Sequence, residues 1–245
     1  MSSSATTGRN KDDGDAMHAQ VESVEREFVT NAAHELQSPL TAIVSAIEVL
    51  QAGAKDTPER DIFLDHIEQA SLRLARLAHA LLVLARAESG AEPPKTELVP
   101  LAPLLDDVAA RLRTLDGVRI HVSCAPETAV LTNRALLEQA VQNVAENAAK
   151  YTKSGTIQLA AHAARGAADI SIQDSGPGIA AGEQERVFER FYRGQGADET
   201  GSGLGLAIVR AAIRALDGEV EIDSTVGEGT TVRIRLPHAA SLVEP

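Results

Sequence analysis

ISIQDSGPGI (residues 170–179) decides how the second half of this chain folds. Ile170, Ile172 and Asp174 are spaced by two, so in a strand they share one face, and the isoleucines make that face the buried one. A carboxylate aimed at the buried side is costly unless a donor meets it. An adenine exocyclic amine is such a donor and would separate adenine from guanine; an ordinary strand end is the other reading. Gly176-Pro177-Gly178 follows at once, where backbone can approach a ligand closely or simply turn.

Working outward, the same two-residue alternation recurs at Val118/Ile120/Val122, Ile157/Leu159/Ala161, Val220/Ile222 and Val232/Ile234/Leu236, each predicting a strand. Residues 101–115, 133–149 and about 204–216 carry helical periodicity instead. Helices on one face of a mixed sheet, an α/β sandwich, follow from this order.

Before the Pro-rich break AEPPK (91–95) the texture is wholly helical. Val21, Val24, Phe28, Leu36, Leu40, Ile43, Ile47 and Leu50 form one stripe, and QAGAKDTPER (51–60) ends it. Ile62, Ile67, Ala70, Leu74, Leu77, Leu81 and Leu84 form a second, closing at Ser89-Gly90. Two helices joined by a short connection make an antiparallel hairpin whose core has two walls. A second copy covering the remaining apolar surface predicts a homodimeric four-helix bundle. The domain reading is a disordered lead (1–16), a dimerisation hairpin (17–90), a linker (91–96), an α/β domain (97–240) and a tail (241–245).

Composition excludes several classes of function. With 35 acidic against 23 basic residues, the net charge of −12 offers no basic patch for nucleic acid or for a membrane surface. Cys124 is the sole cysteine, which rules out an intrachain disulfide and a thiolate zinc cluster. The apolar stretches break well before the ~18 residues of a membrane span, so no direct membrane insertion is expected. Residues 1–16 lack the apolar core of a secretory signal. The expectation is a cytoplasmic chain, or the cytoplasmic portion of a larger, membrane-anchored protein.

Several motifs stand out beside Asp174. His34-Glu35-Leu36-Gln37-Ser38-Pro39-Leu40 places a proline inside a helical stripe, at a cost of ~3 kcal/mol. The in-phase stripe favours a kink one turn beyond His34; a fresh helix capped by Ser38 with Pro39 first is the alternative. Asn143, Asn147 and Lys150/Tyr151 share one helix face and could hold Mg²⁺ and phosphates, or merely meet solvent. Gly201-Ser202-Gly203-Leu204-Gly205-Leu206 opens a helix, where backbone N–H groups cradle phosphate. No strand precedes it and Leu206 stands where a third glycine belongs, so it is no dinucleotide fingerprint, and no Walker-type loop occurs.

Taken in order, HELQSPL (34–40), N-x-x-x-N-A-x-K-Y-T (143–152), D-x-G-x-G (174–178), FERFYR (188–193), GSGLGL (201–206) and Gly227-Glu228-Gly229-Thr230 resemble the two-component sensor histidine kinases. The resemblance covers about residues 18–237. It implies a dimerisation and phosphoacceptor hairpin followed by an ATP-binding domain of gyrase-type (Bergerat) fold. It further implies phosphorylation of His34, with Glu35 as general base, and transfer to an aspartate of a response-regulator receiver domain. Asn147 would ligate Mg²⁺ with Asn143 assisting, Lys150 would neutralise phosphate and Tyr151 would pack near the nucleotide. Asp174 would read adenine, with Gly176, Gly178, Ile179 and Thr230 at the pocket and residues 201–206 wrapping the phosphates as part of a lid. Ala42, Ser45 and Ala46 would contribute to the choice of regulator. Glu35-x-x-Ser38 stands where the family carries its phosphatase motif, and Ser38 keeps the hydroxyl without the threonine methyl, which implies weak phosphatase activity.

Four departures accompany the resemblance. Gln37-Ser38 replaces Arg-Thr, Thr132-Asn133 replaces Gly-Asp, Leu216-Asp217-Gly218 lacks a histidine, and the lid between Phe191 and Gly201 is short. Two further readings are a non-catalytic dimeric scaffold that docks a regulator and a gyrase-like ATPase. Acid-labile label on His34, free phosphate alone, or neither separates the three.

Overall fold

Two seams, not one, run along the first helix. The computed structural model describes residues 30, 32–34, 36–53, 59–88, 95–164, 166–194 and 203–241. The chain divides after His79 into two compact units. The positions read as lead, most of the linker, residues 242–245 of the tail, Val21, Val24, Phe28, Glu35, Gly201 and Ser202 lie outside the described residues. So do the side chains of Leu77, Leu81 and Leu84.

In the first unit, α1 is helical at 32–34 and 36–51 and α2 begins at Arg60, running Arg60–Glu88. Ala32, Leu36, Pro39, Ile43, Ala46 and Leu50, at alternating steps of four and three, are the buried or half-buried positions of α1. Leu40, Val44 and Ile47 stay exposed on a second seam, with Leu40 at 51%. The single apolar stripe of the sequence therefore splits between an inner and an outer face. On α2 the inward positions are Phe63, Ile67, Ala70 and Leu74, while Ile62, Leu64 and Leu72 are exposed. Helix α1 is already formed at residues 36–38, so Pro39 lies inside it and does not begin a fresh helix. Ala46 is 5% exposed and belongs to the inner seam, which withdraws it from regulator choice; Ala42 and Ser45 remain exposed.

The second unit is an α/β sandwich. Its main sheet contains β2 (Val118–Cys124), β4 (Gly155–Ala164), β5 (Ala167–Asp174), β6 (Glu219–Thr225) and β7 (Gly229–Pro237) in the order β2-β4-β5-β7-β6. The β2–β4 pair is parallel and the others are antiparallel. Ile157, Leu159, Ile170, Ile172, Val232, Ile234 and Leu236 point to one buried face, with Arg233, Arg235, Gln173 and Gln158 on the wet one. Three helices cover the apolar face: α3 (Leu101–Arg111), α4 (Arg134–Tyr151) and α5 (Gly205–Ala215). Helix α3 ends at Arg111, four residues before the sequence reading, because Leu112 turns extended; Leu115 is left 60% exposed.

A second, three-stranded antiparallel sheet, β1 (Glu97–Pro100), β3 (Thr128–Thr132) and β8 (Ala239–Ser241), was not expected. Its strands are short, and TAVLT (128–132) is buried at four of five positions, so it carries no alternation to read. Strand β8 also takes Ser241 out of the segment read as tail.

Helix ends explain how α4 and α5 are held. Asn133 caps α4, its Oδ1 accepting from Leu136 N–H at 3.0 Å. Its amide donates to the Lys95 carbonyl at 2.9 Å, a bond that an ionised aspartate in its place could not make. Helix α5 closes with Gly218 N–H on Ile213 O and Asp217 N–H on Arg214 O, the paired bonds of a Schellman end, with Asp217 at φ 54°.

Candidate functional site

The end of β5 meets the start of β7. Asp174 and Thr230 are register partners, and the Asp174 carboxylate accepts from the Thr230 backbone N–H and, at 2.8 Å, from the Gly176 N–H. Burial raises the Asp174 pKa above the ordinary aspartate value, and those two donors only partly oppose it. An ionised carboxylate there is short of donors, which is what an adenine amine would supply.

The loop after Asp174 lies against the β6–β7 turn. Gly178 sits at φ 72°, and a side chain there would run into the Thr225 backbone, so only glycine fits. The Gly227 N–H donates to Pro177 O at 2.8 Å. Ile179 N–H donates to Ser224 Oγ at 2.8 Å, and Gln184 Nε2 donates to Ile179 O and Ser224 O. Neither Ser224 nor Gln184 was singled out in the sequence. Ser224 did carry a signal, since it stands two residues beyond Ile222 on the inward phase of β6. Gln184, in a turn, carried none.

Helix α4 brings Asn143 and Asn147, one turn apart, along the same face, both half-buried. Asn143 Nδ2 is buried without a hydrogen-bond partner. Such a group costs stability until a ligand or water meets it, and a flipped amide would present Oδ1 instead. The first residue of α5, Gly205, lies beside Asn147: a Cβ there would sit 3.7 Å from Nδ2. No side chain caps α5, so its first-turn N–H groups keep their capacity to bind an anion. Leu204 is buried and Leu206 half-buried. The chain enters α5 through Gly203, whose φ of 68° lets its carbonyl accept from Phe191 N–H at 3.0 Å. That bond joins the two residues that flank 192–202 in sequence. Phe188 is buried under the Arg210 guanidinium, 5.3 Å from the ring centroid.

Lys150 and Tyr151 are exposed at the end of α4, with the Lys150 ammonium 5.3 Å from the Tyr151 ring centroid. It is the Tyr151 carbonyl that approaches Gly176: a Cβ on that glycine would lie 3.3 Å from it. In the first unit His34 and Ser38 are exposed, one turn apart on α1, and Glu35 lies outside the described residues. The donor set in the second unit fits a nucleotide, since a desolvated carboxylate, a buried unpartnered amide and an uncapped helix start match an adenine amine and phosphate oxygens.

The second unit thus combines a mixed sheet covered by helices on one face with two half-buried asparagines on α4 and an aspartate at the end of β5. The family model of the histidine kinase-, DNA gyrase B-, and HSP90-like ATPases matches residues 132–240, and that of the His Kinase A (phospho-acceptor) domain matches residues 24–90. The chain is 32% identical over 232 residues to the sensor-like histidine kinase SenX3 of Mycolicibacterium smegmatis, covering 92% of this chain and 60% of that protein. It is 32% identical to the mycobacterial sensor histidine kinase MprB structure, covering 60% of this chain and 99% of that one at a TM-score of 0.54. The fold is also that of the Acinetobacter baumannii histidine kinase AdeS, at 21% identity and a TM-score of 0.66 over 84% of this chain and 98% of that one. The chain belongs to the sensor histidine kinase family. It spans about half of relatives such as the phosphate regulon sensor PhoR of Pseudomonas aeruginosa, 50% of whose length it covers. Among the described residues no helix is long and apolar enough to cross a membrane.

Replacing Asp174 with Asn tests the carboxylate. An Asn oxygen can still accept from Gly176 and Thr230 but carries no charge. ATP affinity is expected to fall by roughly tenfold or more, with thermal stability at neutral pH unchanged or raised because a buried charge is gone. Since burial raises the native pKa, the folded state holds the extra proton just above the ordinary aspartate range. Wild-type stability therefore declines as pH rises through that window, and the Asn variant lacks the decline. Unaltered ATP affinity, measured by calorimetry, would remove Asp174 from the nucleotide site.

Proposed function

We propose that this chain is the catalytic core of an ATP-dependent protein-histidine kinase, which phosphorylates His34 and passes the phosphoryl group to an aspartate of a response-regulator receiver domain. The observation that carries the reading is the desolvated Asp174 carboxylate at the end of β5, in a chain whose helical unit exposes His34. A gyrase-like ATPase has no use for that histidine, and a scaffold has none for a half-buried carboxylate short of donors.

In this reading Asp174 accepts the adenine amine, while Gly176, Gly178 and Ile179 let backbone approach the base and Thr230 orients the carboxylate. Asn147, with Asn143, would hold Mg²⁺, which when bound supplies charge neutralisation for the phosphates. Lys150 adds positive charge at the exposed end of α4, Tyr151 packs near the nucleotide, and residues 201–206 offer backbone N–H groups to the phosphates. The His34 Nε2 lone pair forms a bond to the γ-phosphorus as the bond to the bridging oxygen breaks, and ADP leaves with that electron pair. Glu35 takes the Nδ1 proton. The N–P bond then breaks as a regulator carboxylate oxygen attacks the phosphorus.

The full chain incubated with γ-labelled Mg·ATP should acquire acid-labile, alkali-stable label. His34→Gln should lose the label and keep ATP affinity, because acceptor and pocket lie in different units. Label persisting in that variant would end the assignment.

We further infer weak phosphatase activity from Ser38, which shares the exposed face of α1 with His34. Its hydroxyl can orient a water toward the regulator's acyl phosphate. Ser38→Ala should abolish dephosphorylation of a phosphorylated receiver domain and spare His34 labelling; Ser38→Thr should speed it. An unchanged dephosphorylation rate in Ser38→Ala would refute the role.

The working form is a homodimer through the hairpin. Leu40, Val44 and Ile47 on α1, with Ile62 and Leu72 on α2, leave apolar surface that a second hairpin covers. The full chain should sediment as a dimer at micromolar concentration, and the double change Leu40→Glu and Ile47→Glu should yield a folded monomer. A monomeric wild type, or a dimeric double variant, contradicts this interface.

A further inference from the structure

We infer that Ser224 and Gln184 are positioning residues for nucleotide binding: together they hold the backbone of Ile179 at a set distance from Asp174. The inference rests on the reading of this face as the ATP site and names the device that keeps it in shape.

The donors and acceptors can be assigned one by one. Ser224 Oγ accepts from Ile179 N–H at 2.8 Å. Its own proton goes to the Gly229 carbonyl at 2.9 Å. A hydroxyl has a single proton, so the 2.9 Å contact between Ser224 Oγ and Thr230 Oγ1 is donated by the threonine. Thr230 in turn gives its backbone N–H to Asp174. A continuous path thus runs Ile179–Ser224–Thr230–Asp174 across the opening between loop and strand. Gln184 closes the far side. Its Nε2 carries two protons and meets two carbonyls, Ile179 O at 3.2 Å and Ser224 O at 2.7 Å.

Residues 175–180 belong to no helix or strand, so hydrogen bonds from outside the loop set where it lies. Both polar backbone groups of Ile179 are bound by this pair of side chains. Ser224→Ala removes the acceptor for Ile179 N–H and the partner of the Thr230 hydroxyl together. The loop and the threonine beside Asp174 then move independently, and a ligand spanning them must restore the arrangement from its own binding energy.

The test uses the full chain with Ser224→Ala, Ser224→Thr and Gln184→Glu. Calorimetry with Mg·ATP gives Kd, His34 labelling gives KM and kcat, and melting temperature is recorded for each variant. Ser224→Ala should raise Kd and KM for ATP roughly tenfold, with kcat changed less than about twofold. Ser224→Thr, which keeps the hydroxyl, should restore affinity. Gln184→Glu, which sets a carboxylate against two carbonyls, should weaken ATP binding at least as much as Ser224→Ala. Wild-type ATP affinity in Ser224→Ala overturns the inference alone. So does an affinity loss that only tracks a lowered melting temperature and is not restored by threonine. Absence of ATP binding by the unaltered chain overturns the nucleotide-site reading and this inference with it.

Discussion

A carboxylate that is half withdrawn from water and meets two backbone donors sits at the centre of the second unit. Asp174 ends the middle strand of the main sheet, with β4 on one side and β7 on the other. The register of both neighbours delivers it there: Ile157 lies opposite on β4 and Thr230 on β7. Burial works against its ionisation, and the Gly176 and Thr230 N–H groups recover part of that cost. The remainder is stability given up in the free protein and available to a ligand that brings a donor. In the proposed function, ligand binding and fold stability pull in opposite directions at this residue.

The surroundings make sense as consequences. The loop beyond Asp174 must pass close to the β6–β7 turn, which is why Gly178 adopts a left-handed backbone against Thr225. On helix α4 the Asn143 amide nitrogen is buried without a partner. Helix α5 begins beside Asn147 with no side-chain cap. Phe191 N–H donates to Gly203 O, and Phe188 is held beneath Arg210. In the hairpin unit the chemistry is simpler: an exposed imidazole on a helix whose inner seam is small and aliphatic.

Much of this was legible in the residue pattern, and the gaps have physical causes. Asp174 was visible because a two-residue period carries orientation, and the same period would have exposed Ser224 had a polar residue on an inward phase been given equal weight. Gln184 lies in a turn, where no period constrains direction, and its role exists only through bonds to segments distant in sequence. The sheet of β1, β3 and β8 escaped notice because strands so short, one buried on both faces, have neither the length nor the alternation that marks a strand. The helical periodicity of 101–115 includes Leu115, yet the helix stops at Arg111 and the leucine faces solvent. On α1, Leu36, Leu40, Ile43 and Ile47 are in phase as a single stripe, but steps of three and four fit two adjacent seams equally well. Only burial separates the seam holding Ala46 from the one holding Leu40.

The most direct test of the account is a carbon-13 NMR titration of the Asp174 side-chain carboxyl, in the free chain and with saturating Mg·ATP. In the free protein the carboxyl should titrate above the ordinary aspartate range, because burial disfavours the charge. On ATP binding its pKa should fall, because an adenine amine donating to the ionised oxygen favours the charged form. A carboxyl that titrates at or below the ordinary value in the free protein, and is indifferent to ATP, would contradict the account.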